Sequence, residues 1–258
     1  MDGLNGVNPY PDTLDLLRTA LALCMLGYGG IRDLRTREVH DLLWVVSGAA
    51  GLLLDVYELF LGTLGLTQLV YAVGAMAVFA LILGVLRLMG EADLLAFVAL
   101  VLIHPRAPVY IGVNTGWSPL FFPFTLVSNV AVAGVLTPLI TALLNMSLGL
   151  RGVSLFQGHQ GLPLHRKLIL ILTARYVKLE QVRGPPFEYP LEGGGVLRLR
   201  PDIWDDEAAS RAFEELRLGA QEWTWVSATL PYLVVMAGGY LLSVVFGDVI
   251  FLLLFRLL

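Results

Sequence analysis

Apolar runs separated by short polar breaks make up most of this chain. A helix crossing the hydrocarbon core of a bilayer needs about 20 largely apolar residues. Six segments are candidates: 14–31, 42–57, 59–86, 90–103, 120–145 and 225–245, with an extension of the last to residue 255 left open. Segment 59–86 carries no charge, whereas 90–103 is short and has Asp93 in its first turn. Residues 107–150 are uncharged but too long for one helix. Pro108, Gly112, Gly116 and Pro119 break their start, so a loop is expected up to residue 118. Arg18 lies near the outer end of the first helix, where it can snorkel to the interface. Pro231 falls inside the sixth segment and is expected to kink it.

The pattern changes between the fifth and sixth segments. Residues 151–224 hold ten Lys or Arg and ten Asp or Glu, the composition of a water-exposed insert. Within it 167–173 reads equally as a buried strand or a helical stretch at the membrane. Gly184-Pro-Pro186 and Gly193-Gly-Gly195 mark turns, and 196–200 alternates like a half-buried strand. Segment 205–218 reads as a short amphipathic helix. Asp205, Asp206 and Glu207 favour its N-terminus, and Ala209, Phe213 and Leu216 share one face. The expected fold class is therefore an all-α polytopic membrane protein. It has six transmembrane helices and a small α+β insert between the fifth and sixth. The parts are 1–150, 151–224 and 225–258.

Composition agrees with lipid as the main solvent. Apolar residues are 57% of the 258, charged residues 15%, and the mean hydropathy is +0.74. A soluble domain carries about 25% charged residues. The net charge of −4 offers no footprint for nucleic acid. Cys24 is the one cysteine, which excludes a disulfide framework and a thiolate zinc site. Residues 1–15 hold no Lys or Arg, so no cleavable secretory signal is expected. Arg32, Arg35, Arg37, Arg87 and the ten basic residues of the insert fall on one side of a six-helix topology, against Arg106 and Arg256 on the other. The positive-inside bias then puts both termini outside a plasma membrane and the insert in the cytoplasm, with the Arg32, Arg35 and Arg37 cluster the better witness.

Acidic residues at membrane depth cost about 2.5–3.5 kcal/mol on insertion scales, so each is a functional candidate. Asp33 closes the first helix and Asp93 opens the fourth. The topology brings both to the cytoplasmic boundary. Two carboxyls at close range cannot both ionise, and such a pair can activate water while hydrogen-bonding a scissile carbonyl. Simpler readings stay open. Asp33 can be an interfacial partner of Arg35 or Arg37, and Asp93 a first-turn acid facing the helix dipole. Gly90 allows a turn or close backbone approach, and Asp41 reads as the N-cap of the second helix. Arg35 and Arg37 read as positive-inside anchors, with tuning of the pair as the second reading. His40, His104, His159 and His165 form no HExxH-type site, no Gly-x-Ser-x-Gly elbow occurs, and no Lys-Ser/Thr follows the glycine run. No metal or cofactor is expected.

The string Asp33-Leu-Arg35-Thr-Arg37-Glu-Val39-His-Asp41 resembles the first motif of type IV prepilin peptidases, and especially of archaeal preflagellin peptidases. Gly90-Glu-Ala-Asp93 resembles their second motif, the Gly-x-Gly-Asp signature shared with presenilins, with Ala92 where the second glycine is usual. Phe187-Glu-Tyr-Pro190-Leu-Glu192 and 225–232 are also similar to segments of that family, so the resemblance covers most of the chain in order. It implies that Asp33 and Asp93 are the catalytic pair of an aspartic-type endopeptidase. Such an enzyme cuts the leader of preflagellin-like or prepilin-like proteins on the cytoplasmic side, just before their hydrophobic segment. Glu38, Asp41 and Glu91 are candidates for receiving a basic leader. Leu230-Pro231-Tyr232 is comparable with the Pro-Ala-Leu segment near the presenilin pair. The cysteine tetrad of bacterial members is absent, so N-methylation is not expected. Two other readings remain: a transporter coupling ions or protons through Asp33 and Asp93, and a presenilin-like protease cutting within transmembrane segments.

Overall fold

The computed structural model describes residues 13–86, 89–108, 122–193, 196–203 and 205–257. Arg87, residues 109–118 of the expected loop, and Gly194 and Gly195 lie outside them. The chain is mostly helical and forms two compact units, Met1–Ala133 with Pro231–Leu258, and Gly134–Leu230. In order, the elements are α1 (Thr13–Thr36), α2 (Leu42–Leu61), α3 (Leu66–Val85), α4 (Glu91–Ile103), α5 (Phe122–Leu150) and α6 (Leu164–Thr173). Then come β1 (Arg175–Lys178), β2 (Glu188–Pro190), β3 (Glu192–Gly193), β4 (Val196–Leu197), α7 (Asp206–Leu218), β5 (Trp223–Ala228), α8 (Tyr232–Phe246) and α9 (Val249–Leu257). α1, α2, α3 and α5 are each long and apolar enough to cross a membrane, and α8 is a shorter apolar helix. This is a membrane protein with a small sheet region.

The first unit has an apolar core and an apolar exterior, with a few polar side chains buried inside. α2 buries Trp44, Ser47, Gly48, Gly51, Asp55 and Glu58. It exposes Val45, Val46, Leu52, Leu53 and Phe60, the last at 87%. Lipid makes that distribution favourable, since charge is costly against hydrocarbon and tolerated inside the bundle. Helix pairing relies on small residues, as expected where hydrophobic burial gives no net drive between helices. A Cβ at Gly51 would sit 2.5 Å from the Leu102 carbonyl oxygen, and one at Gly239 2.5 Å from Val130 Cα. α2 therefore meets α4, and α8 meets the start of α5, backbone to backbone. Asn129 on α5 donates to Ser243 Oγ (2.9 Å) and to the Gly247 carbonyl (2.7 Å), and accepts from Val249 N–H, which closes the α8–α9 corner.

Several boundaries differ from expectation for local reasons. α1 runs on to Thr36, past residue 31. α2 continues to Leu61 and ends on Gly62 in the left-handed region, φ 72°, so the third helix starts at Leu66 and not at residue 59. The largest correction concerns 225–231. The expected sixth helix begins only at Tyr232, because Trp223–Ala228 is the central strand of a sheet. Aromatic and β-branched residues favour that pleated surface over a helix. Pro231 occupies the N-cap of α8 and introduces no kink. Segment 167–173 belongs to α6 and is helical. Only 196–197 of the alternating 196–200 forms a strand.

In the second unit β5 pairs antiparallel with β1 (Tyr176 opposite Trp225) and with β2 (Tyr189 opposite Ser227). Trp225 is fully buried, stacks on Phe156 at 5.2 Å and donates from Nε1 to the Leu155 carbonyl at 2.9 Å. α7 forms as its pattern predicts. Asp205 accepts from Ala208 N–H at 2.7 Å as N-cap, and Ala209 and Phe213 are buried.

Glu192 is buried beside Thr224 and Gln221, both of which donate to its Oε2, with His159 4.0 Å away. Burial raises its pKa above the ordinary 4.5 despite those bonds. The folded unit therefore holds this proton more tightly than the unfolded chain. The resulting stability is complete below the unfolded pKa and is lost as pH rises through the raised value. Glu192→Gln is expected to make this unit more stable at neutral pH and to flatten its pH dependence. Hydrogen exchange of β5 amides at pH 5 and pH 8 in both proteins checks this.

Candidate functional site

Asp33 stands one turn before the end of α1, half-buried, with each carboxylate oxygen engaged. Oδ1 pairs with Arg37 Nη1 at 3.2 Å, and Oδ2 accepts the N–H of Leu233 at 3.3 Å. Leu233 is in the first turn of α8, where backbone N–H groups have no partner within the helix. A carboxylate there satisfies an orphan donor and faces the positive end of the helix dipole. α1 and α8 pack closely enough for this because Gly30 faces α8, while Gly29 sits between Trp44 of α2 and Leu233 of α8. A Cβ at Gly30 would already touch Val234 Cγ2 at 3.4 Å. Arg37 reaches back to Asp33 from a left-handed backbone, φ 59°. That conformation costs a non-glycine residue roughly 1–2 kcal/mol, and the ion pair offsets part of it.

Asp93 is in the first turn of α4, also half-buried, and accepts a hydrogen bond from the N–H of Gly90. This is half of a capping box, in which the third helical residue reaches back to the N-cap amide. Gly90 itself is extended at φ −69°, so no turn there demands glycine, and an added Cβ would make ordinary contact with Asp93 Oδ2 at 3.4 Å. Asp33 and Asp93 lie within electrostatic range of each other, and Tyr232 lies within range of Asp93. Phe97 packs 6.5 Å from the Tyr232 ring and 6.1 Å from that of Phe79, forming an aromatic wall beside Asp93. Pro231 immediately precedes Tyr232 and Leu233, which puts it at this site as the N-cap of α8.

A scan against family models finds no match. Among curated proteins, the preflagellin peptidase of Methanococcus voltae is 22% identical over 245 residues, spanning 90% of this chain and 96% of the relative. The similarity supports the preflagellin peptidase family. It runs through both units, so it takes in the insert as well as the helices that carry Asp33 and Asp93.

The other sequence candidates are less tightly engaged. Glu38 and Asp41 are exposed in the α1–α2 connection, and Glu91 is exposed at the first position of α4. Arg35 is exposed, and it is Arg37 that pairs with Asp33. Asp41 precedes α2 with helical dihedrals and makes no capping bond. His40 takes that role, its Nδ1 accepting Leu42 N–H at 3.1 Å. Among the described residues no group of His, Cys, Asp and Glu side chains could hold a metal ion.

One polar constellation was not anticipated. Arg18 does not snorkel; its side chain is 1% exposed and pairs with Asp55 at 2.8 Å and Glu58 at 2.7 Å. It also donates to the Ile103 carbonyl at 2.5 Å. Arg106 joins from beyond α4, 2.8 Å from Glu58 and 3.8 Å from Asp15. Next to it the Tyr240 hydroxyl lies 2.8 Å from His104 Nε2, both fully buried. The available signal was spacing. Asp15 and Arg18 are three apart on one helix and Asp55 and Glu58 three apart on another, so each pair shares a face.

Proposed function

We propose that this chain is a membrane-embedded aspartyl endopeptidase that removes leaders from preflagellin-like or prepilin-like proteins at the cytoplasmic face. The approach of Asp33 and Asp93, from two helices distant in sequence, carries the reading. Helix capping accounts for each carboxylate singly but gives no reason to set two like charges against each other. A proton shared by the pair does. The ionised carboxyl takes a proton from water as it attacks. The protonated one hydrogen-bonds the scissile carbonyl and stabilises the developing oxyanion. Arg37 and the Leu233 amide hold Asp33 for this step, and the Gly90 amide holds Asp93. With one carboxyl acting as base and the other as acid, kcat/KM is expected to follow a bell-shaped pH profile.

In this reading α1–α5 and α8 are the six spans, with both termini outside and residues 151–224 in the cytoplasm. α4, about 20 Å long by its 13 residues, is a short span opening at the catalytic depth. The likeness to a preflagellin peptidase supports a leader-peptidase function. Ion or proton coupling is less favoured. Ala22, Met25, Leu26, Ala96, Phe97 and Leu100, all buried, lie along α1 and α4 between Asp33/Asp93 and the Arg18 cluster. This apolar layer interrupts a polar path along those helices.

The direct test incubates the purified protein in lipid with a preflagellin-like substrate and identifies the products by mass spectrometry. A single cut just before the hydrophobic segment is expected. Intact substrate alongside folded protein overturns the reading. Exposed Glu38, Asp41 and Glu91 are proposed to receive the basic leader. Glu38→Lys with Asp41→Lys should raise KM for a basic leader by about threefold to tenfold, the size of two exposed charge contacts. A leader stripped of its basic residues should be cut unchanged. Equal effects on both leaders would remove these residues from recognition.

A further inference from the structure

The Arg18 cluster and the Asp33/Asp93 pair occupy opposite ends of the same helices. Arg18 and Asp33 are on α1, separated by roughly 22 Å of helix. The carbonyl that Arg18 grips, Ile103, is the last residue of α4, the helix that Asp93 opens. The carboxylates that hold the guanidinium, Asp55 and Glu58, are on α2, which packs against α4 through Gly51. Tyr240, whose hydroxyl meets His104 just after α4, is on α8, whose first turn is capped by Asp33. α1 and α4 are thus tied a second time at their far ends, and α8 midway along its length.

Arg18 alone spans three helices, through two carboxylates on α2 and a backbone carbonyl on α4. The guanidinium donates directionally to Glu58 and to the Ile103 carbonyl, with Asp55 as an ion-pair partner at 2.8 Å, and these bonds restrict sliding and rotation of α1 in a way that apolar contacts do not. We propose that Arg18 is a positioning residue. Its clasp of α1 to α2 and to the C-terminus of α4 sets the axial register that brings Asp33 to Asp93. The inference rests on the peptidase reading for its catalytic consequence, but not for its geometric one.

Removing Arg18 alone strands two buried carboxylates and can prevent folding, so the informative variant neutralises the cluster: Arg18→Met with Asp55→Asn and Glu58→Gln. In a Cys24→Ser background, nitroxides at Leu34 and Leu95, both exposed and next to Asp33 and Asp93 in sequence, report the α1–α4 distance in lipid by double electron–electron resonance. The expected result is a shift or broadening of about 2 Å in the folded variant. Leader cleavage should fall about a hundredfold in kcat at unchanged KM, the usual consequence of an ångström-scale misplacement of reacting groups. A purely structural role lowers the yield of folded protein and leaves distance and kcat per folded molecule as in wild type. That outcome overturns the proposal. Wild-type protein that cuts no leader defeats the peptidase reading instead, and the distance measurement still decides the register.

Discussion

Asp33→Asn and Asp93→Asn are each expected to lower leader cleavage by at least about a thousandfold while the protein remains folded and membrane-inserted. Asparagine retains an acceptor oxygen for the Leu233 amide in one case and for the Gly90 amide in the other. Both helix caps therefore survive, and what disappears is the capacity to share a proton. Asp33→Asn also releases Arg37 from its ion pair, a partly exposed one that contributes up to about 1 kcal/mol. That is too small to produce the expected loss by unfolding. Single-turnover cleavage with circular dichroism of the same preparations separates chemistry from folding.

The second large effect is on stability. Gly51→Ala should destabilise the first unit by about 1–3 kcal/mol or more, as overpacking does in a close-fitted interior. The new methyl would meet the Leu102 carbonyl oxygen at 2.5 Å, its carbon at 2.7 Å and Ile103 Cα at 2.8 Å, all backbone atoms that no rotamer change can move. Gly74→Ala on α3 is the matched control, since an added Cβ there meets nothing within 4 Å. It should be neutral or stabilising by up to about 1 kcal/mol through helix propensity. Unfolding by SDS in mixed micelles compares the two. Equal stability of both variants would mean that α2 and α4 are not in backbone contact.

Features with a local cause were legible in the sequence. Apolar run length located the helices now seen as α1 to α5. Asp205 with Ala209 and Phe213 located α7, because a cap and a helical face are both short-range. Asp33 and Asp93 were singled out because charge near a bilayer needs a reason. What escaped depends on distant partners. The amide that Asp33 accepts is 200 residues away, and Arg18 finds Asp55 and Glu58 only once α1 and α2 are side by side. Segment 225–231 was misassigned because apolar content cannot distinguish a buried strand from a membrane helix. The pairing of β5 with β1 and β2, again long-range, decides it. Pro231 then changes role from an interior kink to the start of α8, which delivers the Leu233 amide to Asp33.

The same packing engages both Asp33 and Asp93. Each carboxylate has a separate backbone donor, Leu233 for Asp33 and Gly90 for Asp93, and the two lie within electrostatic range of each other.

Single-turnover rates for wild type, Asp33→Asn, Asp93→Asn and the double variant test most directly whether the two carboxyls act as one unit. If they share one proton and one water, either substitution removes the whole function, and the double variant is no slower than the slower single one. Losses that multiply in the double variant, or a single variant that cuts at the wild-type rate, would contradict the account.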